Sequence, residues 1–155
     1  MAEAGQKAPD FELPTDSGGT IRLSKLKGHP VVVYFYPKDD TSGCTREAQA
    51  FTALAAAFEA LGAQVIGISP DTVESHAKFR SKHALAVALA ADPQRTAIDA
   101  YGVWVEKSMY GRKYMGVDRS TFLIDAKGKI ARVWRKVKVP GHAAEVLEAA
   151  QALGP

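Results

Sequence analysis

The chain has 155 residues, 46% of them hydrophobic and 24% charged, with a net charge of +3. That length and apolar content fit one compact domain, residues 1–155, with an ordinary core, and they exclude a disordered or low-complexity chain. A single cysteine excludes an internal disulfide and any zinc site built on several thiolates. No apolar run approaches membrane-spanning length, and the N-terminus lacks the apolar core of a secretion signal, so the expectation is a cytoplasmic protein without a membrane partner.

In chain order, Phe11–Leu13 and Thr20–Leu23 flank the turn residues Thr15-Asp-Ser-Gly-Gly19 and predict an N-terminal β-hairpin. Ser24–Gly28 reads as a short helical turn or loop. Val31–Tyr36 is apolar without alternation, as in a strand covered on both faces, and Pro37 stops its ladder. Ala48, Phe51, Leu54, Ala55, Phe58 and Leu61 then recur at helical spacing until Gly62. Cys44, seven residues before Phe51, falls on the same core-facing stripe and is expected at the floor of a small pocket.

Ala63–Ser69 predicts a second buried strand, and Pro70-Asp-Thr opens a helix running to about His83. Ala86–Ala90 suits a strand and Pro93–Tyr101 a helix. Gly102–Gly116 has no clear period and reads as a connection. Ser120–Ile124 and Lys129–Trp134 form two strands about the Asp125-Ala-Lys-Gly128 turn, and His142–Leu153 is a terminal helix whose Ala143, Val146, Leu147 and Ala150 read as core packing. The order predicts an α/β fold with a central mixed sheet flanked by helices.

Charge is uneven: residues 101–155 hold ten Lys and Arg against five Asp and Glu. The excess gathers in Lys107–Lys113 and Arg132–Lys138, without any nucleic-acid motif, and reads as a solvated face. His29, His76, His83 and His142 share no ligand spacing, so no metal is expected.

The chemistry concentrates in Pro37-Lys-Asp-Asp-Thr41-Ser-Gly-Cys44. A cysteine where a buried strand turns into a helix meets free backbone N–H groups and the positive end of the helix dipole, which favour negative charge on sulfur. Thr41, three residues earlier, brings a hydroxyl toward that sulfur as donor and acceptor for a bound peroxide. The Gly43 and Cys44 amides point into the same space, and Pro37 offers an apolar wall. Arg119, at the start of the Ser120–Ile124 strand, supplies a fixed cation, which Glu47 is placed to hold through a bidentate pair. Trp104 and Tyr110 read either as covering the pocket's edge or, equally, as plain packing, and Tyr36 as touching the far end of a substrate.

The pattern Pro37-x-x-x-Thr41-x-x-Cys44 resembles the active-site motif of the peroxiredoxins. Ala8–Pro14, Tyr34–Lys38, Gly43–Ala48, Gly67–Ser69, Tyr101–Trp104, Glu106–Gly111 and Arg119–Asp125 narrow the resemblance to the bacterioferritin-comigratory-protein, or peroxiredoxin Q, branch. It implies a thioredoxin-like fold and thiol-dependent reduction of hydrogen peroxide and organic hydroperoxides, with Cys44 as the peroxidatic cysteine. Thr41, Arg119 and Pro37 carry over as its supporting residues, Thr41 and Arg119 as catalytic partners, while Gly43 and Glu47 join Pro37 as substrate-site residues on the reading of the segment itself. No cofactor is implied, and relatives on this branch are often monomeric. One departure stands out. Where many members carry a second, resolving cysteine, this chain has Gln49, so an external thiol (thioredoxin, glutaredoxin or glutathione) must resolve the oxidised sulfur. A non-enzymatic redox sensor or adaptor that uses Cys44 as a reversible switch is the alternative reading.

Overall fold

A computed structural model describes residues 2–153. Five strands build the central sheet: β3 (Val31–Phe35), β4 (Gln64–Ser69), β5 (Ala88–Ala91), β8 (Ser120–Ile124) and β9 (Ile130–Trp134). Their spatial order is β5-β4-β3-β8-β9. The first three are parallel, and β8 and β9 join antiparallel, so the sheet is mixed. This arrangement, with helices packed on the sheet, is the thioredoxin-like architecture expected. The N-terminal hairpin is present as β1 (Glu12–Pro14) and β2 (Thr20–Arg22), with Leu13 opposite Ile21. A 3-10 turn at Leu23–Leu26 follows it.

Strand β3 is central, which explains its unbroken apolar sequence. Its odd residues, Val31, Val33 and Phe35, join one core with Phe11, Ile66, Tyr101 and Phe122. Its even residues, Val32 and Tyr34, extend with Tyr36 into a second core with Phe51, Phe58, Phe79, Leu123 and Val146. Cys44 belongs to this second core. It is carried there by α1 (Ser42–Ala53), which packs with α5 (His142–Ala152) on that face.

The helix expected to run unbroken to Gly62 is divided at Leu54 into α1 and α2 (Ala55–Ala60). At the break the Leu54 amide donates to the Phe51 carbonyl, a tightened turn, and the Thr52 hydroxyl is drawn off to accept from the Ala86 amide at 3.1 Å. Phe51 and Phe58 nonetheless reach the same core, 6.0 Å apart. The helix expected from Pro93 begins later, as α4 (Thr96–Ala100), because the Asp92 carboxylate caps it by accepting from the Thr96 and Ile98 amides.

The largest departure is Gly102–Gly116. It is not a connection but a second hairpin, β6 (Trp104–Met109) and β7 (Arg112–Val117), turning through Tyr110 and Gly111, both at positive φ. Its outer half is exposed on both faces, so it carries no alternation of apolar and polar residues. The tight turn with a glycine was its one local signal.

The loop between β3 and α1 is clamped to α3 (Val73–His83) at two depths. Inside, the Asp39 carboxylate accepts from the Tyr36 hydroxyl at 2.6 Å, from the Ser75 hydroxyl at 2.8 Å and from His76 Nδ1 at 2.7 Å. The Asp39 amide donates to Asp71 at 2.8 Å, and His76 Nε2 donates to the Ala90 carbonyl at 3.0 Å. Both ring nitrogens of His76 are engaged, Nδ1 with Asp39 and Nε2 with the Ala90 carbonyl, so the ring is fixed from two sides. Outside, Asp40, at φ 59°, accepts from Lys82 and His83 at 2.7 and 2.8 Å. Asp39→Ala would leave the buried Tyr36, Ser75 and His76 groups without their shared partner and should destabilise the fold by about 1–3 kcal/mol. Urea denaturation of the variant measures it, and a loss below about 0.5 kcal/mol, the size of an ordinary surface substitution, would show that the clamp does not hold the fold.

Candidate active site

Strand β3 ends where Tyr36 donates its amide to Ile68, and Pro37 then carries the chain out of the sheet. The clamped loop delivers Thr41 in an extended conformation as the N-cap of α1, with the Thr45 amide donating to the Thr41 carbonyl at 2.8 Å. The Thr41 side chain does not cap the helix. Its hydroxyl donates instead to the Lys38 carbonyl at 3.0 Å, which leaves the first-turn amides of Gly43 and Cys44 uncapped beside the sulfur.

Arg119 reaches this helix start from the adjacent strand. Ser120 pairs with Phe35 in the sheet, so the residue before it stands beside the end of β3. Arg119 Nη2 donates to Cys44 Sγ at 3.3 Å, and Nη1 donates to Glu47 Oε1 at 2.7 Å. One guanidinium therefore spans the two residues that begin and end a single turn of α1. Glu47 and Cys44 raise the charged state of Arg119 further, against the opposing effect of its own burial.

Several expectations need correction. Glu47 does not form a bidentate pair: only Oε1 meets Arg119, and Oε2 is buried without a partner, because the second guanidinium arm is turned to the sulfur. Cys44 does lie on the core-facing side of α1, 1% exposed, with Arg119 Nη2 against its sulfur. Tyr36 does not face a substrate, since its hydroxyl is engaged with Asp39 under the loop. Trp104 and Tyr110 also leave the pocket's edge. Trp104 packs against the opposite core beneath Arg95, 4.5 Å away, and Tyr110 is 98% exposed at the tip of the second hairpin.

Burial lifts the Glu47 carboxyl to about 7, the Arg119 charge opposing only part of that rise. Gly43 has a steric reason: a Cβ there would stand 3.2 Å from Arg119 Nη2, so any side chain would press on the guanidinium. Pro37 is half-buried at the rim and Gln49 is exposed. Tyr34 is stacked on Phe51 at 4.8 Å, and its hydroxyl is the other buried side-chain atom without a partner among the described residues. Burial and the charges of Glu47 and Cys44 hold Tyr34 neutral.

Residue-type spacing did not reveal the loop clamp of Asp39, Asp71, Ser75 and His76. Nor did it reveal Lys107 on β6, whose charge is disfavoured by burial and which stands within electrostatic reach of Asp118, Arg119 and Cys44. Asp71, Ser75 and His76 lie more than thirty residues from Asp39 in sequence, so only the fold brings the clamp together. Among the described residues no group of His, Cys, Asp and Glu could hold a metal ion.

Residues 4–133 match the AhpC/TSA family. Peroxiredoxin Bcp of Bacillus subtilis is 50% identical over 146 residues, covering 94% of this chain and 93% of its own. Two solved structures superpose closely. The bacterioferritin comigratory protein of Xanthomonas campestris, studied for its alkyl peroxide reduction activity, matches with a TM-score of 0.92 at 40% identity, covering 99% of this chain and 100% of that one. A cysteine-to-serine mutant of Xylella fastidiosa PrxQ matches with a TM-score of 0.94 at 36% identity, covering 100% and 99%. The chain belongs to the AhpC/TSA family and, within it, to the bacterioferritin-comigratory-protein or peroxiredoxin Q branch of thiol-dependent peroxidases.

Proposed function

We propose that this peroxidase acts through Cys44 alone, reducing hydrogen peroxide and organic hydroperoxides in a one-cysteine cycle. The contact of Arg119 Nη2 with Cys44 Sγ at 3.3 Å carries the reading. A guanidinium there favours negative charge on sulfur before the reaction and receives the charge that develops on the departing oxygen during it.

In the first half, the Cys44 thiolate attacks the nearer peroxide oxygen. The S–O bond forms as the O–O bond breaks, Cys44 becomes a sulfenic acid, and the departing oxyanion takes a proton and leaves as water or alcohol. The Thr41 hydroxyl donates its hydrogen bond to the Lys38 carbonyl, so its oxygen is free to accept the peroxide's O–H. The Gly43 and Cys44 amides face the same oxygens, Pro37 bounds them on the apolar side, and Glu47 positions Arg119. In the second half, an external thiol attacks the sulfenic sulfur, water leaves, and a mixed disulfide forms. A second thiol then releases Cys44 and departs as a disulfide. The sole cysteine of the chain, with exposed Gln49 on the outer side of α1, supports resolution from outside. Thioredoxin, glutaredoxin and glutathione are the candidate thiols, and a monomeric, cytoplasmic working unit completes the proposal.

Cys44→Ser should abolish peroxide turnover while leaving the fold intact; turnover at the wild-type rate would remove Cys44 from the reaction. Arg119→Ala should slow the peroxide step by roughly one to three powers of ten, as loss of an oxyanion donor does. Rapid-mixing fluorescence reads that step directly, and an unchanged trace would remove Arg119 from the site.

Glu47 gives a pH dependence of defined sign. Its folded carboxyl titrates at about 7, above the ordinary glutamate value of 4.5, so between those values the native state holds a proton that the unfolded chain has released. Stability from this group is therefore greatest at low pH and falls as pH rises toward 7. Glu47→Gln should flatten that part of the stability–pH curve, as measured by denaturant midpoints from pH 5 to 8. A variant curve parallel to that of wild type would mean that Glu47 is already ionised throughout.

A further inference from the structure

The large hydrophobic side chains exposed among the described residues all lie on one element. Met109 (56%), Tyr110 (98%), Tyr114 (44%) and Met115 (50%) belong to the β6–β7 hairpin, which stands outside the central sheet. Clustered exposed apolar groups of this kind mark an interaction surface more often than chance.

The hairpin's register divides it into two unlike faces, because residues directly opposite in an antiparallel pair point the same way. Trp104, Glu106, Ser108, Lys113, Met115 and Val117 share one face. Its base is anchored by Trp104 and buried Val117, and its middle is neutralised by the Glu106–Lys113 pair at 3.7 Å.

The other face carries Val105, Lys107, Met109, Arg112, Tyr114 and Gly116. A Cβ on Gly116 would meet Lys107 Cδ and Tyr114 Cε2, each at 3.5 Å, so these side chains do lie together over the glycine. This face has two cations and no carboxylate of its own, and neither Lys107 nor Arg112 forms a salt bridge among the described residues. It also leads to the reactive centre, since Lys107 is the hairpin residue within electrostatic reach of Cys44 and Arg119.

We propose that the Met109, Arg112 and Tyr114 face docks the external reductant, and that this reductant is a protein dithiol whose reactive sulfur is framed by acidic and apolar surface. The inference rests on the one-cysteine reading above and names the class of its missing partner. A small thiol needs no such platform. A protein must be steered and held, and two unpaired cations beside apolar anchors provide charge complementarity to an acidic rim together with desolvated contact area. Once docked, one partner thiol attacks the Cys44 sulfenic sulfur: an S–S bond forms, the S–O bond breaks, and the hydroxyl leaves as water with the thiol's proton. The partner's second thiol then attacks its own sulfur in the mixed disulfide, returning Cys44 as a thiol and leaving the partner oxidised.

The test compares wild type with a Met109→Ser, Arg112→Glu, Tyr114→Ser variant in steady-state peroxide reduction. The reductants are an acidic thioredoxin recycled by its reductase and NADPH, glutathione, and dithiothreitol. The expected result is a KM for the protein reductant raised about tenfold or more, the size of effect that reversing an interfacial charge produces, with kcat and the dithiothreitol rate unchanged. Added salt should raise the wild-type KM and leave that of the variant nearly flat. An unchanged KM, or turnover of wild type by glutathione as fast as by the acidic dithiol protein, would overturn the proposal. So would light scattering that shows a dimer for wild type and a monomer for the variant, which would make this face a self-interface. Failure of the one-cysteine cycle itself looks different: dithiothreitol would then not sustain turnover of wild type either.

Discussion

One guanidinium holds the centre of this molecule together. Arg119 divides its two arms between Cys44 Sγ and Glu47 Oε1, three residues apart on a single helical turn. The geometry demands three things at once. The helix must begin where the sulfur sits, the strand bearing the arginine must lie beside the strand that leads into that helix, and any side chain at position 43 would press on the guanidinium, 3.2 Å from its Cβ. The sheet supplies the second condition through the Phe35–Ser120 pairing, and the clamped loop supplies the first. The arrangement also strands a carboxylate oxygen in the core. The energetic strain of that burial is the reason Glu47 titrates near neutrality rather than among ordinary carboxylates.

The rest of the fold reads as support for that constraint. A loop of irregular backbone with one residue at positive φ would be a poor platform by itself. It is held instead by hydrogen bonds that tie Asp39 to Asp71 and to His76 of α3, with His76 braced in turn on Ala90 of β5, and by the outer pair of Lys82 and His83 on Asp40. A rigid platform matters because a near-attack geometry tolerates little displacement before rate is lost. The same rigidity keeps Cys44 almost fully buried. This suits a small peroxide better than a bulky thiol, and it makes the surface around the site as consequential as the site itself.

Much of this was legible in the residues. The unbroken apolar run of β3 announced a two-faced central strand, and the helical stripe from Ala48 to Phe58 placed Cys44 on its buried side. Arg119 was recoverable because it directly precedes a second apolar strand. Glu47 was recoverable because it follows Cys44 by one turn. Other features had no local signature. Two exposed faces erase periodicity, so the β6–β7 hairpin looked like a loop apart from Tyr110-Gly111. The Asp39–His76 pair joins residues 37 apart, and an isolated histidine on a helix looks the same whether it is solvated or buried against a carboxylate. The break at Leu54 depends on Thr52 meeting Ala86, which is again a matter of tertiary contact.

The claim on which the account turns is that Arg119 acts on the oxygen–oxygen bond and not merely on the charge of sulfur. A peroxide and an alkylating agent both need the thiolate, but only the peroxide expels an oxyanion. The decisive measurement is the ratio of the Cys44 rate constants for hydrogen peroxide and for iodoacetamide, in wild type and in Arg119→Ala. The account predicts that the ratio collapses in the variant by roughly tenfold or more, in line with the loss of an oxyanion donor. A ratio that stays constant, with both rates changing in proportion or not at all, would contradict it.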